Sequence, residues 1–228
     1  MENNKKYILG LLLKLVYLVD AKDSYLKKHS DNVTKYALLL GKELKLNLNE
    51  MELLEISAML HDVGKIGIPD YLLVKTSSLT DNEYEIMKRH VTIGEALFPI
   101  EGYDDIKKII RFHHERIDGK GYPDGLKGTE IPYLARILAV VDTFDAMTTK
   151  RSYNDVKTLE EAFEELKLVS QKFVNCGNGD FVQQLDPFIV EEFIKMVKNN
   201  SELVEEFRMR DLNIMHNRNK VKYKKMDN

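Results

Sequence analysis

Five of the six histidines in this chain stand beside apolar stretches of helical period, and one of them, His61, is followed directly by Asp62 in Met59-Leu60-His61-Asp62-Val63-Gly64-Lys65. Neutral imidazole and carboxylate are the side chains that most readily hold a hard or borderline divalent ion. Two neighbours at the end of one helix can do so only if partners arrive from elsewhere. His29, His90, His113, His114 and Asp142 are the candidates, each next to an apolar helical segment. Any fold of this chain must therefore explain how segments far apart in sequence meet the His61-Asp62 pair.

The segments read as helix after helix. Ile8, Leu11, Leu12, Leu15 and Val19 recur at helical spacing and predict a packed first helix. The apolar run that holds them is broken by Lys14, lacks a cleavage pattern and is shorter than the about 20 residues a membrane span needs. A second helix covers Tyr25 to Leu44 with His29 near its start. Asn49 and Glu52 suggest a capping box for a third that delivers His61-Asp62 and stops at Gly64. Thr80 and Glu83 cap a fourth, long helix that carries His90, with Gly94 one turn on allowing another backbone to approach. A fifth starts at Asp104 and holds His113-His114-Glu115 in its last turn. The glycine-rich stretch from Ile117 to Pro132 then predicts a structured loop. Tyr133 to Thr149 is a nearly continuous apolar helix bearing Asp142 and Asp145 on one face. Carboxylates buried there cost several kcal/mol unless partnered. Thr158 with Glu161, a Gly177-Asn178-Gly179 turn and Asp186-Pro187 mark the later boundaries. No stretch alternates convincingly at period two, so the fold class is all-α.

A formal net charge of −3 excludes a broad nucleic-acid surface, and a single cysteine, Cys176, excludes an internal disulfide. The reading is a cytoplasmic protein with no polymeric nucleic acid as partner and no membrane insertion. Residues 1–200 are expected to form one domain including its N-terminal helix, and 201–228 a polar helical extension ending in a basic mobile tail, where His216 is solvated.

The order of a lone His, HDVGKIGIPDYLLVK, a His with Gly four residues later, HHERIDGKGYPDGLKG and ARILAVVDTFDAMTTKRSY resembles the HD-GYP family of HD-superfamily phosphohydrolases, from about Asp20 to Lys198. The resemblance implies an HD-superfamily helical bundle with an HD-GYP loop and extra C-terminal helices. It also implies hydrolysis of cyclic di-GMP to the linear dinucleotide pGpG and, in a further step, GMP. By position, His29, His61, Asp62 and Asp142 match the ligands of one metal, and His90, His113 and His114 those of a second, with Asp62 bridging. The bridged ions would share a hydroxide that attacks phosphorus, and this chemistry suits a phosphodiester near neutral pH. The histidine-rich set favours two divalent ions per chain, iron or manganese rather than magnesium or calcium.

Lys65 is expected to neutralise the scissile phosphate or protonate the leaving oxygen, and Asp145 to orient a ligand. Lys120 and Tyr122 are expected to meet a phosphate and a purine, and Arg151 matches a family arginine that contacts phosphate. Two departures stand out: Asn154 replaces a second basic residue, and Tyr25 replaces the glutamate with which some members hold a third metal. Cyclic GMP-AMP as substrate, a protein that binds the nucleotide without turnover, and a homodimer or regulatory protein as partner all stay open.

Overall fold

Helix α3 (Leu48–Leu60) has apolar residues that do not segregate to one face, and it is buried between two hydrophobic clusters. Leu54 and Ala58 pack into the larger cluster, whereas Ile56 and Leu60 pack into the smaller. The other elements are arranged about this helix. In this computed structural model residues 2–20, 24–98, 102–149, 156–171, 173–174 and 181–226 are described, with side chains over 7–19, 28–98, 102–149, 156–171 and 183–216. In chain order come α1 (Glu2–Asp20), α2 (Ser24–Glu43), α3, a 3-10 turn (Val63–Gly67), α4 (Asp70–Leu73), α5 (Asp81–Lys88), α6 (His90–Ala96) and α7 (Asp104–Phe112). After the glycine-rich loop come α8 (Tyr133–Thr148), α9 (Leu159–Ser170), the strands β1 (Phe173–Val174) and β2 (Phe181–Val182), α10 (Pro187–Asn199) and α11 (Ser201–Met226).

The fold is all-α, as expected, apart from β1 and β2, which pair antiparallel over two residues each and had no period-two signature. The Gly177-Asn178-Gly179 turn lies outside the described residues. Among those described, no helix is long and apolar enough to cross a membrane.

The larger cluster is built from α2, α3, α8, α9, α10 and α11 around the rings of Tyr36, Phe144, Phe163, Phe193 and Phe207. Phe144 meets Phe193 edge to face at 4.8 Å and Phe207 at 5.4 Å. Such pairs add roughly 0.5–1.5 kcal/mol each beyond their burial. This cluster holds the apolar face of α8 and so fixes the height at which Asp142 and Asp145 sit. The smaller cluster joins Leu12 and Val16 of α1 to Ile56, Leu60, Val63 and Ile110.

Four expectations from the sequence are corrected. The third helix is capped by Asn47 and Glu50 rather than by Asn49 and Glu52. Asn47 has an extended backbone that lets its side chain reach the Glu50 amide at 3.0 Å, while Asn49 is already inside the helix. The long helix expected to carry His90 is two helices, because α5 stops at Lys88 and α6 starts at His90, with Arg89 between. On α1 the buried residues are Leu12, Val16 and Val19, and Leu11 is exposed. Ile8, Leu12, Leu15 and Val19 are buried or partly buried as predicted, so Leu11 alone of the expected five departs from the packed face. Finally, α11 is no simple extension over its first turns. Leu203 and Phe207 lie in the core, Asp211 accepts from the Leu159 amide at 3.1 Å, and Arg210 donates to the Thr148 carbonyl. The caps at Thr158 with Glu161 and at Asp186 before Pro187 form as read.

Candidate metal centre

Three helices end at one place, and each end presents an imidazole. His61 follows α3, His90 follows α5 and His113 follows α7. Each directs Nδ1 to a carbonyl three residues back: Ala58 at 2.8 Å, Met87 at 2.8 Å and Ile110 at 2.6 Å. Last-turn carbonyls lack helical partners, so a histidine placed there satisfies one of them and is oriented by it. The Nδ1–H donates, which leaves Nε2 with its lone pair facing inward. For His90 and His113 that Nε2 is buried and has no hydrogen-bond partner. A buried nitrogen lone pair without a partner is costly, and a cation is the partner its chemistry suits.

His29 reaches the same point from α2, held by α8. Its Nδ1 donates to Asp145 Oδ2 at 2.7 Å, and Asp145 Oδ1 accepts from Asn32 at 2.7 Å and from the Thr149 hydroxyl at 2.8 Å. Asp145 is wholly buried, and these three donors satisfy its charge. The Nε2 atoms of His29 and His61 then face each other at 3.3 Å. Asp142 Oδ1 lies 3.2 Å from His29 Nε2 and 3.9 Å from His61 Nε2. Asp62 Oδ2 lies 3.7 and 3.4 Å from the same two nitrogens, while its Oδ1 turns to His90 Nε2 at 3.5 Å. An ion with ligand bonds of about 2.1 Å has neighbouring ligand atoms roughly 3 to 3.5 Å apart, so these separations fit a metal with little adjustment. His29, His61 and Asp62 form one potential ligand group and His90, His113 and His114 another. Asp62 lies between them with one oxygen toward each.

Protonation also suits a cation. Burial opposes ionisation of Asp62, but Lys65 first, and then the surrounding imidazoles, hold its carboxyl well below the usual range. The same burial is overcome at Asp142 by its hydrogen bond with His29. Burial is the main cause that pushes His90 down to about 4 and His114 down to about 3, and it holds His113 well below the ordinary imidazole value. Their lone pairs are therefore available at neutral pH. His29 is the exception: burial alone would lower it, but its bonds to Asp142 and Asp145 raise it to about 9. Loading of the centre must then release a proton from His29 Nε2, since Nδ1 is committed to Asp145.

The loop after α7 covers one side. Tyr122 packs its ring on His114 at 4.9 Å and meets His90 at 6.5 Å. The loop is pulled in by Glu115, a buried carboxylate that accepts from the amides of Asp124, Gly125 and Leu126 at 2.7, 3.0 and 3.1 Å. Gly121 lies so close to the backbone of His114, Glu115 and Arg116 that a methyl there would overlap it. Asp118 ties the loop to the segment after β2, accepting from Arg116 and from the Gln183 amide.

The structure thus brings together His29, His61, Asp62, His90, His113, His114 and Asp142, with Asp145 behind His29 and Tyr122 over His114. Lys65 pairs with Asp62 Oδ2 at 2.5 Å. Lys120 is exposed, and its backbone amide donates to Asp118. Arg151, Asn154 and the side chain of Tyr25 lie outside the described residues. Glu115 went unread as a functional residue, although it adjoins the two histidines in HHERIDGKGYP; its partners are amides nine to eleven residues on, which no side-chain pattern reveals.

Removal of the carboxylate behind His29 gives a first test. Asp145→Ala is expected to weaken divalent-ion affinity by about 10- to 100-fold, the usual cost of losing a group that orients a metal-ligating histidine. Competition titration against a chromophoric chelator measures it, and unchanged affinity would show that His29 needs no such support.

A family model described as HD domain matches residues 15–173. A cyclic di-GMP phosphodiesterase of Thermotoga maritima is 36% identical over 214 residues, covering 92% of this chain and 55% of its own. A 3'3'-cGAMP-specific phosphodiesterase 1 of Vibrio cholerae is 33% identical over 174 residues, 76% of this chain and 39% of its own. Among solved structures, Bd1817, an HDG"Y"P protein of Bdellovibrio bacteriovorus, superposes with a TM-score of 0.58 at 20% identity, over 78% of this chain and 53% of that one. The chain thus spans about half the length of its Thermotoga relative, and less of the Vibrio one.

Proposed function

The chain belongs to the HD-GYP family of HD-domain proteins, and from that we propose that it is a metal-dependent phosphodiesterase that opens the ring of a cyclic dinucleotide. The observation that carries this reading is the pair of abutting ligand groups with Asp62 between them and two buried Nε2 atoms that have no hydrogen-bond partner. His29, His61, Asp62 and Asp142 would hold one divalent ion and His90, His113, His114 and Asp62 the other, with iron or manganese suiting so many imidazoles. Such ions neutralise phosphate oxygens and make water a competent nucleophile near neutral pH.

The protein's own groups do the rest. The ammonium of Lys65, partly exposed beside Asp62, would meet the scissile phosphate or give a proton to the departing 3′-oxygen. Asp145 keeps the proton on His29 Nδ1, so that Nε2 faces the centre. Tyr122, neutral because burial raises its phenol well above the usual value, offers an apolar ring to a base. Cyclic di-GMP is the substrate we favour, in line with the activity for which the Thermotoga relative is named, with pGpG as first product. The name of the Vibrio relative supports cyclic GMP-AMP as the second reading. A protein that binds without turnover is disfavoured by the complete ligand set. The absence of CxxC and disulfide pairing fits the cytoplasm.

The test is direct. Protein loaded with manganese or ferrous iron is offered each cyclic dinucleotide, and products are separated by chromatography. Linear dinucleotide from cyclic di-GMP is expected; tight binding with no cleavage of either by fully loaded protein would leave only the binding role. Elemental analysis is expected to give two ions per chain, and a reproducible value near three would refute that count.

A further inference from the structure

On α5, one turn apart and outside both ligand groups, stand Tyr84 and Lys88. The Lys88 ammonium lies 4.8 Å from the centroid of the Tyr84 ring and 5.6 Å from that of Tyr122. The two tyrosines meet edge to face at 6.3 Å. Since Tyr122 in turn packs on His114 and meets His90, this slot adjoins the metal centre on the loop side. Tyr84 is 46% exposed, so one of its faces is open to a ligand. Lys88 has a counterion, Glu85 at 2.6 Å, but that carboxylate is 68% exposed. An exposed pair of this kind is held by about 1 kcal/mol or less and exchanges readily for another anion.

A cation between two aromatic rings offers both charge and a flat apolar surface. Those are the two needs of the part of a cyclic dinucleotide that is not at the reacting phosphate: a second phosphodiester and a purine. We propose that Tyr84 and Lys88 complete, with Tyr122, the subsite for the half of the substrate that is not cut. Lys88 meets the second phosphate and Tyr84 packs against a purine. This subsite rests on the cyclic-dinucleotide reading of the centre and names which residues grip its distal half.

Titration calorimetry with manganese-loaded protein and a non-hydrolysable phosphorothioate analogue of cyclic di-GMP tests it, alongside steady-state kinetics with cyclic di-GMP itself. Lys88→Met is expected to weaken binding about tenfold, Lys88→Arg to stay within about threefold of the parent, and Tyr84→Ala to weaken it about five- to tenfold, as loss of one charge-assisted contact or one stacking surface does. KM is expected to rise by similar factors while kcat stays within about threefold, because uniform binding is lost rather than transition-state contact. Neither residue belongs to a hydrophobic cluster, so neither change removes core. Binding within twofold of the parent for Lys88→Met and Tyr84→Ala, or failure of arginine to substitute for lysine, overturns the subsite and leaves the enzyme reading intact. A parent protein that binds neither cyclic dinucleotide overturns the substrate reading, and the subsite with it.

Discussion

Asp62→Ala is expected to lower turnover by at least about 10³-fold and to strip most of the divalent metal from the protein, since the one carboxylate facing both ligand groups is lost. The geometry explains why no neighbour substitutes. Oδ2 lies 3.4 Å from His61 Nε2 and Oδ1 lies 3.5 Å from His90 Nε2, whereas the ion-pair contacts of Asp142 are with His29 and His61. Alanine would also leave Lys65 without its 2.5 Å partner next to a cluster of imidazoles, so the site becomes more positive as well as one ligand short. Helical content is expected to persist, because Asp62 contributes to neither hydrophobic cluster. Metal analysis, activity and far-ultraviolet circular dichroism together check this. Normal metal content with retained activity would end the shared-ligand reading.

Gly64→Ala should be nearly as damaging without touching a ligand. A methyl at Gly64 would overlap the His90 carbonyl oxygen and the Gly94 amide nitrogen, both backbone atoms of α6 that cannot rotate away. The helix must move as a body, and His90 moves with it. Overpacking of this sort costs roughly 1–3 kcal/mol, which for a chain of this size lowers Tm by about 2–10 °C. Misplacing a ligand by about 1 Å costs about 100-fold in rate. Gly67 provides the contrast. A methyl there would meet the Ile93 side chain at 3.0 Å, and a side-chain end gives way where a backbone does not. Gly67→Ala is therefore expected to keep activity within about threefold. Equal effects of the two substitutions on activity, read beside their melting curves, would refute the account.

The candidate ligands could be named from the sequence because their residue types are costly to bury without a partner and recur beside apolar helical segments, and the fold brings those candidates together. Helix ends were less legible. Asn47 and Asn49 are equally good caps by type, and only the extended backbone at Asn47 decides between them. The break between α5 and α6 leaves no sequence mark, since Arg89 is a good helix former and tertiary packing stops the helix there. Tertiary contacts also hid Glu115, whose partners are amides, and Tyr84 with Lys88, whose importance appears only once the loop lays Tyr122 against α5. The packed turns of α11 were masked by its polar composition, because Leu203 and Phe207 are two apolar residues in a charged stretch.

The imidazoles just past α3 and α7 and at the junction of α5 with α6 also set a rule for how such a chain can vary in length. Each satisfies the carbonyl of its own last turn through Nδ1 and faces the centre through Nε2, so the stop of the helix and the aim of the ligand are one event. A residue inserted inside any of the three would swing its imidazole by about 100° and shift it about 1.5 Å along the axis, so the local carbonyl bond would travel with it while the aim of Nε2 at the centre is lost. Insertions and deletions are therefore confined to connections such as residues 74–80, between α4 and α5, while the three helices behave as rulers cut to a common mark.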